Sequence, residues 1–247
     1  MEVSIFDLDK TITKNSTSFT VARKLLFSNQ LPSKSLLKYL KNYIISFIAN
    51  KEMKENDLQN FINDSLLALK NYDQIKMQRS IEKILVPLLP KLIYKKALGT
   101  LKEEMNAGRT LILATAAPKE IADIFAKHLG FHHVVSTSLE VKDNQYTGIL
   151  NSPFCHGAEK TKRVKTLLED LKADISNIKA FSDSYNDLSL LSLASKPTAV
   201  NPDSTLRKHS KNNNWEIIDY QSFRVARKIT YSFLSAVLLY YTVALAV

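Results

Sequence analysis

Phe6-Asp7-Leu8-Asp9-Lys10-Thr11 stands directly behind a short apolar run, Val3-Ser4-Ile5-Phe6. Far downstream, Ser182-Asp183-Ser184-Tyr185-Asn186-Asp187 follows a second run, Ile178-Lys179-Ala180-Phe181, in the same way. Short apolar runs that stop at acidic residues read as buried strands emerging into loops. In an open parallel sheet, ligands bind beyond the carboxyl ends of the strands, so the two acidic clusters are expected to converge on one site. Carboxylates gathered there suit a hard cation such as Mg2+, which takes a few carboxylates plus water and phosphate oxygens. A phosphate monoester is a dianion that repels nucleophiles, so its cleavage needs a cation and a nucleophile fixed in line with the leaving oxygen. Asp7 and Asp183 are candidate metal ligands. Asp7 is also a candidate nucleophile, because a carboxylate can form an aspartyl-phosphate that water later hydrolyses. Asp9, two residues on and on the same side of an extended chain, is a candidate acid/base for the leaving alcohol and the attacking water.

Size and composition exclude several classes. A chain of 247 residues with 45% hydrophobic content has room for one large domain or a core domain with an insertion. Its one cysteine, Cys155, rules out an internal disulfide framework and suits a reducing compartment. Asp7 comes so early that no cleavable leader is expected. Five glycines, none spaced as in a dinucleotide fingerprint or a P-loop, exclude nucleotide binding by those devices. The net charge of +10 would suit nucleic acid, anionic lipid or a phosphorylated substrate. With no aromatic-basic stripe, nucleic acid is not an expected partner.

Strand and helix alternate through much of the chain, which favours an α/β fold with a parallel sheet. Strands are expected over residues 110–114, 133–136, 178–181, 198–200 and 215–218. Helices are expected over 119–129, 159–171 and 188–193, and a hairpin over 140–150 around Asp143-Asn144. Residues 16–96 carry apolar side chains at helical spacing and no glycine, which reads as an all-helical insertion. Its segment 36–49 mixes Lys38 and Lys41 with bulky apolar residues, and ordinary helix packing is the simpler reading there. The final 19 residues, 229–247, carry no charge and follow Arg224, Arg227 and Lys228. At about 1.5 Å per residue such a helix nearly matches the ~30 Å hydrocarbon core of a bilayer. Residues 221–247 are therefore expected to be a basic flank and a membrane anchor that keeps the rest on the cytoplasmic face. A terminal helix docked on its own domain is the alternative.

Two more residues join the acids. Thr115 follows the strand at 110–114 and precedes a helix, so its hydroxyl and nearby amides can bind phosphate. Lys160 lies near the start of a helix after Cys155-His156-Gly157, although by itself it belongs to a basic run, with Lys162, Arg163 and Lys165, of the kind that usually faces solvent. The order of acid pair, hydroxyl, lysine and acid cluster resembles the haloacid dehalogenase superfamily, and within it the phosphoserine-phosphatase-like branch of subfamily IB, from Val3 to about Tyr220. That resemblance implies a Rossmann-like core from residues 1–15 and 97–220, with a helical cap from 16–96. It implies Asp7 as nucleophile and Asp9 as acid/base, with Thr115 and Lys160 binding phosphate. Asp7, Asp9 and Asp183 would hold Mg2+, with Asn186 and Asp187 as orienting groups. The segment Lys196-Pro197-Thr198-Ala199-Val200-Asn201-Pro202-Asp203 resembles the closing strand of the same branch.

The departures from the branch narrow the reading. Ser182 stands where the family usually has glycine, and Thr115 is followed by Ala116-Ala117 where true phosphoserine phosphatases have serine and two glycines. Ser16 occupies the position of a glutamate that holds the amino group of phosphoserine. Lys10-Thr11 has a superficial likeness to the phosphorylation loop of ion pumps, but Ile12 and Thr13 follow in place of Gly-Thr. His132 and His133 are adjacent and poorly placed to ligate one metal; Cys155 has no evident catalytic partner, and Trp215 reads as core. The expected activity is a Mg2+-dependent phosphomonoesterase acting through an aspartyl-phosphate. A lipid or membrane-associated phosphate ester, of the phosphatidylglycerophosphate or lysophosphatidate type, is the expected substrate. A soluble small-metabolite phosphatase, such as a phosphoserine phosphatase, is one alternative, and a non-catalytic membrane-docked binding protein is another.

Overall fold

The computed structural model describes residues 1–27, 66–67 and 69–220. Most of the expected cap, including 36–49, and the whole expected anchor at 229–247 lie outside the described residues. Within them, β1 (Val3–Phe6) leads to α1 (Thr17–Phe27), and the chain resumes toward α2 (Gln74–Leu85), a single 3-10 turn and α3 (Leu89–Leu92). Then follow α4 (Lys95–Asn106), β2 (Thr110–Pro118), α5 (Lys119–Leu129), β3 (His133–Thr137) and the hairpin β4 (Leu139–Lys142) and β5 (Gln145–Leu150). After α6 (Gly157–Asp170) come β6 (Ile178–Ser182), α7 (Leu188–Leu191), β7 (Lys196–Val200), α8 (Ser204–Asn212) and β8 (Glu216–Ile218).

Six strands form one sheet in the order β3-β2-β1-β6-β7-β8, every pairing parallel. Helices cover both faces, and for that reason β1 and its neighbours are apolar on successive residues rather than on alternate ones. The alternation sorts them between two cores. Phe6, Leu111, Leu113 and Phe181 face one, with α1, α2, α4 and α5. Val3, Ile5, Ile112, Ala114, Ile178 and Ala180 face the other, with α6 and Leu206 of α8. Phe6 and Phe181 stack with ring centroids 4.2 Å apart, locking β1 to β6. From β1 the chain winds outward through β2 and β3 on one side and later through β6, β7 and β8 on the other, so β1 and β6 flank the point where the winding reverses.

Several elements depart from the sequence reading. The strand expected over 110–114 runs on to Pro118, with a register shift after Ala114 that lifts Thr115 and Ala116 out of the regular ladder. Thr13 and Ile93 form a bridge, and Tyr94 N–H donates to the Ile12 carbonyl at 3.0 Å, which ties the approach to α4 to the loop after β1. Helix α8 was not anticipated, because among its nine residues only Leu206 and Ser210 are buried. The 143–144 turn is as expected: Asp143 and Asn144 both take left-handed backbone angles, the twist a two-residue hairpin demands. This hairpin is sewn to the approach to α2, through Asn71 N–H to Tyr146 carbonyl (2.8 Å) and Tyr146 N–H to Tyr72 carbonyl (3.0 Å).

Candidate active site

The sheet register decides where the acids arrive. Phe6 is paired with Leu113 on one side and Phe181 on the other, so Asp7, Thr115 and Asp183 all emerge within two residues of the same level, at the carboxyl edge. The backbone continues the alignment for one more step, with Asp7 N–H donating to the Phe181 carbonyl at 2.9 Å. Helix α6 enters this edge with Lys160 in its first turn.

Lys160 is the hub. Its Nζ donates to Asp7 Oδ1 at 3.0 Å and to Asp187 Oδ2 at 2.8 Å, and the three side chains are almost wholly buried. Asp187 Oδ2 also accepts from Ser182 Oγ at 2.7 Å, while Asp7 Oδ2 accepts from Thr11 Oγ1 at 3.2 Å. A basic run on α6 that would ordinarily face solvent thus turns one of its members inward, and the fold supplies two carboxylates to compensate it. Ser182 and Thr11 were not singled out for these contacts in the sequence. The spacing that carries them, one residue before Asp183 and four after Asp7, is plain once the strand ends are known.

The electrostatics show a site short of positive charge. Burial lifts the Asp7 carboxyl to about 6; Lys160 pulls it down, but the charges of Asp187 and Asp9 push it further up. Asp183 is raised well above the ordinary carboxylate range by burial and then by Asp7, with Lys10 and Lys160 acting against this and Asp187 with it. Asp9 is raised by its burial, opposed by its bonds to the start of α1, where Thr17 N–H donates to Oδ1 at 2.9 Å. Burial works against the Lys160 ammonium, but Asp7 and Asp187 outweigh it and hold the group charged. Asp187 Oδ1 is buried with no hydrogen-bond partner among the described residues, a costly state for a carboxylate oxygen.

Two carboxylates on one buried ammonium, a third acid, Asp183, raised by Asp7 beside them, and one orphaned carboxylate oxygen fit a divalent cation. Among the described residues, no group of three His, Cys, Asp or Glu side chains has the geometry to hold a metal by side chains alone. Of the three expected metal ligands, Asp7 acts on Asp183 and Asp9 on Asp7, but Asp9 is turned to Thr17, which leaves Asp7 and Asp183 as the candidate carboxylate pair. Mg2+ commonly needs no more, taking one or two carboxylates and completing its shell with water and substrate phosphate.

Thr115 lies buried at the β2 bulge, where its Oγ1 accepts from Ala117 N–H at 3.1 Å; Thr137 Oγ1 holds the intervening Ala116 carbonyl at 2.8 Å. No contact joins Thr115 to the acids directly; the register alone puts it at their edge. Asn186 is exposed beside Asp187, its N–H donating to Ser184 Oγ at 3.2 Å. His132 accepts from Leu111 N–H through Nδ1 at 3.0 Å, a structural contact. Burial pushes the Cys155 thiol up to about 11, too high for a ready nucleophile. Trp215 is half-buried against the second core, its ring edge-on to His209.

Comparison with known proteins bears on the family and the fold. A family profile described as haloacid dehalogenase-like hydrolase matches residues 5–192. A protein of Mycobacterium tuberculosis named as a phosphoserine phosphatase is 28% identical over 225 residues, spanning 91% of this chain and 72% of that one. A Bordetella pertussis Tohama I protein of unknown function superposes with a TM-score of 0.76 at 21% identity, over 89% of this chain and 98% of that one. A substrate-bound phosphoserine phosphatase does so with a TM-score of 0.61 at 19% identity, over 94% and 97%. At those identities the two structures speak for the fold.

Proposed function

This chain belongs to the haloacid dehalogenase-like hydrolases, and from that premise we propose that it is a magnesium-dependent phosphomonoesterase that passes the phosphoryl group through Asp7. The observation that carries the reading is the buried contact of Lys160 with both Asp7 and Asp187 at the strand edge. Asp7 attacks phosphorus through a carboxylate oxygen, the bond to the ester oxygen breaks, and Asp9 gives its proton to that oxygen as the alcohol departs. Asp9, now a carboxylate, takes a proton from water, and that water attacks the phospho-aspartate to release inorganic phosphate and restore Asp7. A carboxyl with a raised proton affinity suits the donor role near neutral pH. Lys160 neutralises phosphate charge and keeps Asp7 oriented, and Thr115 offers a hydroxyl at the same edge. Asp7 and Asp183 would hold Mg2+, which when bound supplies charge neutralisation at the phosphoryl oxygens.

For the substrate we propose a phosphate ester presented at a membrane, with residues 229–247 holding the protein on the cytoplasmic face. Support comes from the uncharged 19-residue terminus with its basic flank and from the +10 net charge. A small-metabolite reading, with phosphoserine as the first candidate, is favoured by the name of the mycobacterial relative. Against phosphoserine, Ser16 is spent on helix α1, its Oγ accepting from Phe19 N–H at 3.3 Å, and offers no carboxylate to an ammonium. The test is hydrolysis of an aryl phosphate with Mg2+ and with EDTA, followed by a panel of phosphoserine, sugar phosphates, nucleotides and phospholipid head-group phosphates in detergent. Mg2+-dependent turnover lost in Asp7→Asn is expected. No turnover across the panel would refute the catalytic reading, and preference for phosphoserine would refute the lipid one.

A further inference from the structure

The two acid-bearing loops belong to different strands, and nothing in the sheet itself sets the distance between them beyond Asp7. We infer that Asn201 and Asp203, in the turn after β7, are positioning residues that brace these loops against each other. The inference rests on the phosphatase reading for its catalytic readout.

Asn201 reaches the first loop. Its Nδ2 donates to the Lys10 carbonyl at 3.0 Å, and its Oδ1 accepts from Tyr220 N–H at 2.7 Å. Its own N–H donates to the Ile218 carbonyl at 2.8 Å. The amide is therefore oriented at both ends: reversing it would face NH2 with an N–H and oxygen with a carbonyl, losing both bonds. Asp203 reaches the second loop. Its N–H donates to the Asp183 carbonyl at 2.9 Å and its Oδ2 accepts from Tyr185 N–H at 2.7 Å, while Oδ1 caps α8 through Leu206 N–H at 2.8 Å. Pro202 between them is buried and restricts the backbone, so three consecutive residues act as one rigid bracket.

The grip on Lys10 falls where the loop is strained. Lys10 has φ 61, in the left-handed region that a lysine adopts only when its surroundings enforce it. That turn, between Asp9 and Thr11, brings the Thr11 hydroxyl back to Asp7 Oδ2. Released from Asn201, Lys10 is free to relax toward ordinary backbone angles, and the relaxation moves Asp9 and Thr11 relative to Asp7. In-line phosphoryl transfer tolerates little of this, since a displacement of about 1 Å at the reacting groups costs on the order of a hundredfold. Asp203 is exposed, so water can replace part of its grip, and its effect is the smaller of the two.

Asn201→Gly is the informative variant. Asn201 itself sits at φ 46, which glycine adopts without strain, so the substitution removes the side-chain bonds to Lys10 and Tyr220 and leaves the backbone at ease. With Mg2+ and an aryl phosphate, kcat is expected to fall at least about tenfold with KM nearly unchanged, the signature of misplaced reacting groups. In hydrogen exchange of the full chain, amides of residues 7–16 and 183–188 are expected to quicken while those of β2 and α5 do not. Asp203→Asn, which has one oxygen for two N–H groups, should show a milder form at 183–188 and the start of α8, with 7–16 unchanged. Wild-type kcat and exchange in Asn201→Gly would overturn the inference, as would quickened exchange across the whole core. A wild-type protein without Mg2+-dependent turnover would refute the phosphatase reading instead, and the exchange comparison would then decide the inference alone.

Discussion

Asp7→Asn should stabilise the metal-free protein while abolishing turnover. Asp7 titrates at about 6 in the fold against 3.8 for an ordinary aspartate. A carboxyl whose proton affinity rises on folding contributes stability that is fully present below pH 3.8 and lost as pH climbs through 6. The difference of roughly two pKa units corresponds to about 3 kcal/mol at pH 8. Lys160 already favours the ionised form, so this figure is what burial and the neighbouring acids impose beyond that help. Asparagine carries no charge at any pH and is spared the penalty. In EDTA at pH 8, urea denaturation should therefore place Asp7→Asn about 3 kcal/mol above wild type, or roughly 6–12 °C in Tm for a chain of this size. The gap should close toward pH 4, where wild-type Asp7 is protonated. Saturating Mg2+ should also narrow it from the other side, because the cation binds the ionised wild-type site and stabilises only what it binds. Equal or lower stability of Asp7→Asn at pH 8 in EDTA would refute both the crowding of negative charge around Asp7 and the cation site inferred from it.

Other substitutions report on neighbouring contacts. Lys160→Met strands Asp7 and Asp187 without their buried partner. It should cost about 3–5 kcal/mol by denaturation and at least roughly a hundredfold in kcat. Ser182→Ala removes the hydroxyl that orients Asp187. A stability loss of about 1.5–3 kcal/mol is expected, with a weaker Mg2+ response in calorimetric titration; unchanged titration would show that the hydroxyl is incidental. Tyr146→Phe deprives buried Glu120 of the bond that Tyr146 Oη makes to it at 2.7 Å. It should lower stability by about 1–3 kcal/mol and leave kcat at saturating substrate unchanged, since Tyr146 Oη donates to Glu120 and not to Asp7, Asp187 or Lys160.

How much was legible in advance differs from element to element. The strand ends at Phe6 and, one residue beyond Phe181, at Ser182 were readable because buried parallel strands need unbroken apolar runs, and a polar or acidic residue ends such a run. The Asp143-Asn144 turn was readable because few residues accept the left-handed angles it needs. Helix α8 was not, since it buries only Leu206 and Ser210, and its one clear signal was Asp203 as a cap. The extension of β2 past Ala114 was hidden because a bulge depends on the partner strand, which local sequence does not name. Lys160 reads as one cation in a basic run, and only the packing of α6 on the strand edge separates it from Lys162 and Lys165.

From its sequence alone, then, this chain determined which residue types stand at the strand ends, and with them the chemistry available: carboxylates, a hydroxyl and an ammonium in a fixed order. Periodicity and abrupt composition changes are local properties, and they survive in one dimension. Tertiary structure decided which of those groups meet. Asp7, Lys160 and the loop from Ser182 to Asp187 lie far apart in the chain, and their contacts follow from sheet register and helix packing. The same holds for the reach of Asn201 to Lys10 and of Asp203 to Asp183, distances that no local pattern encodes.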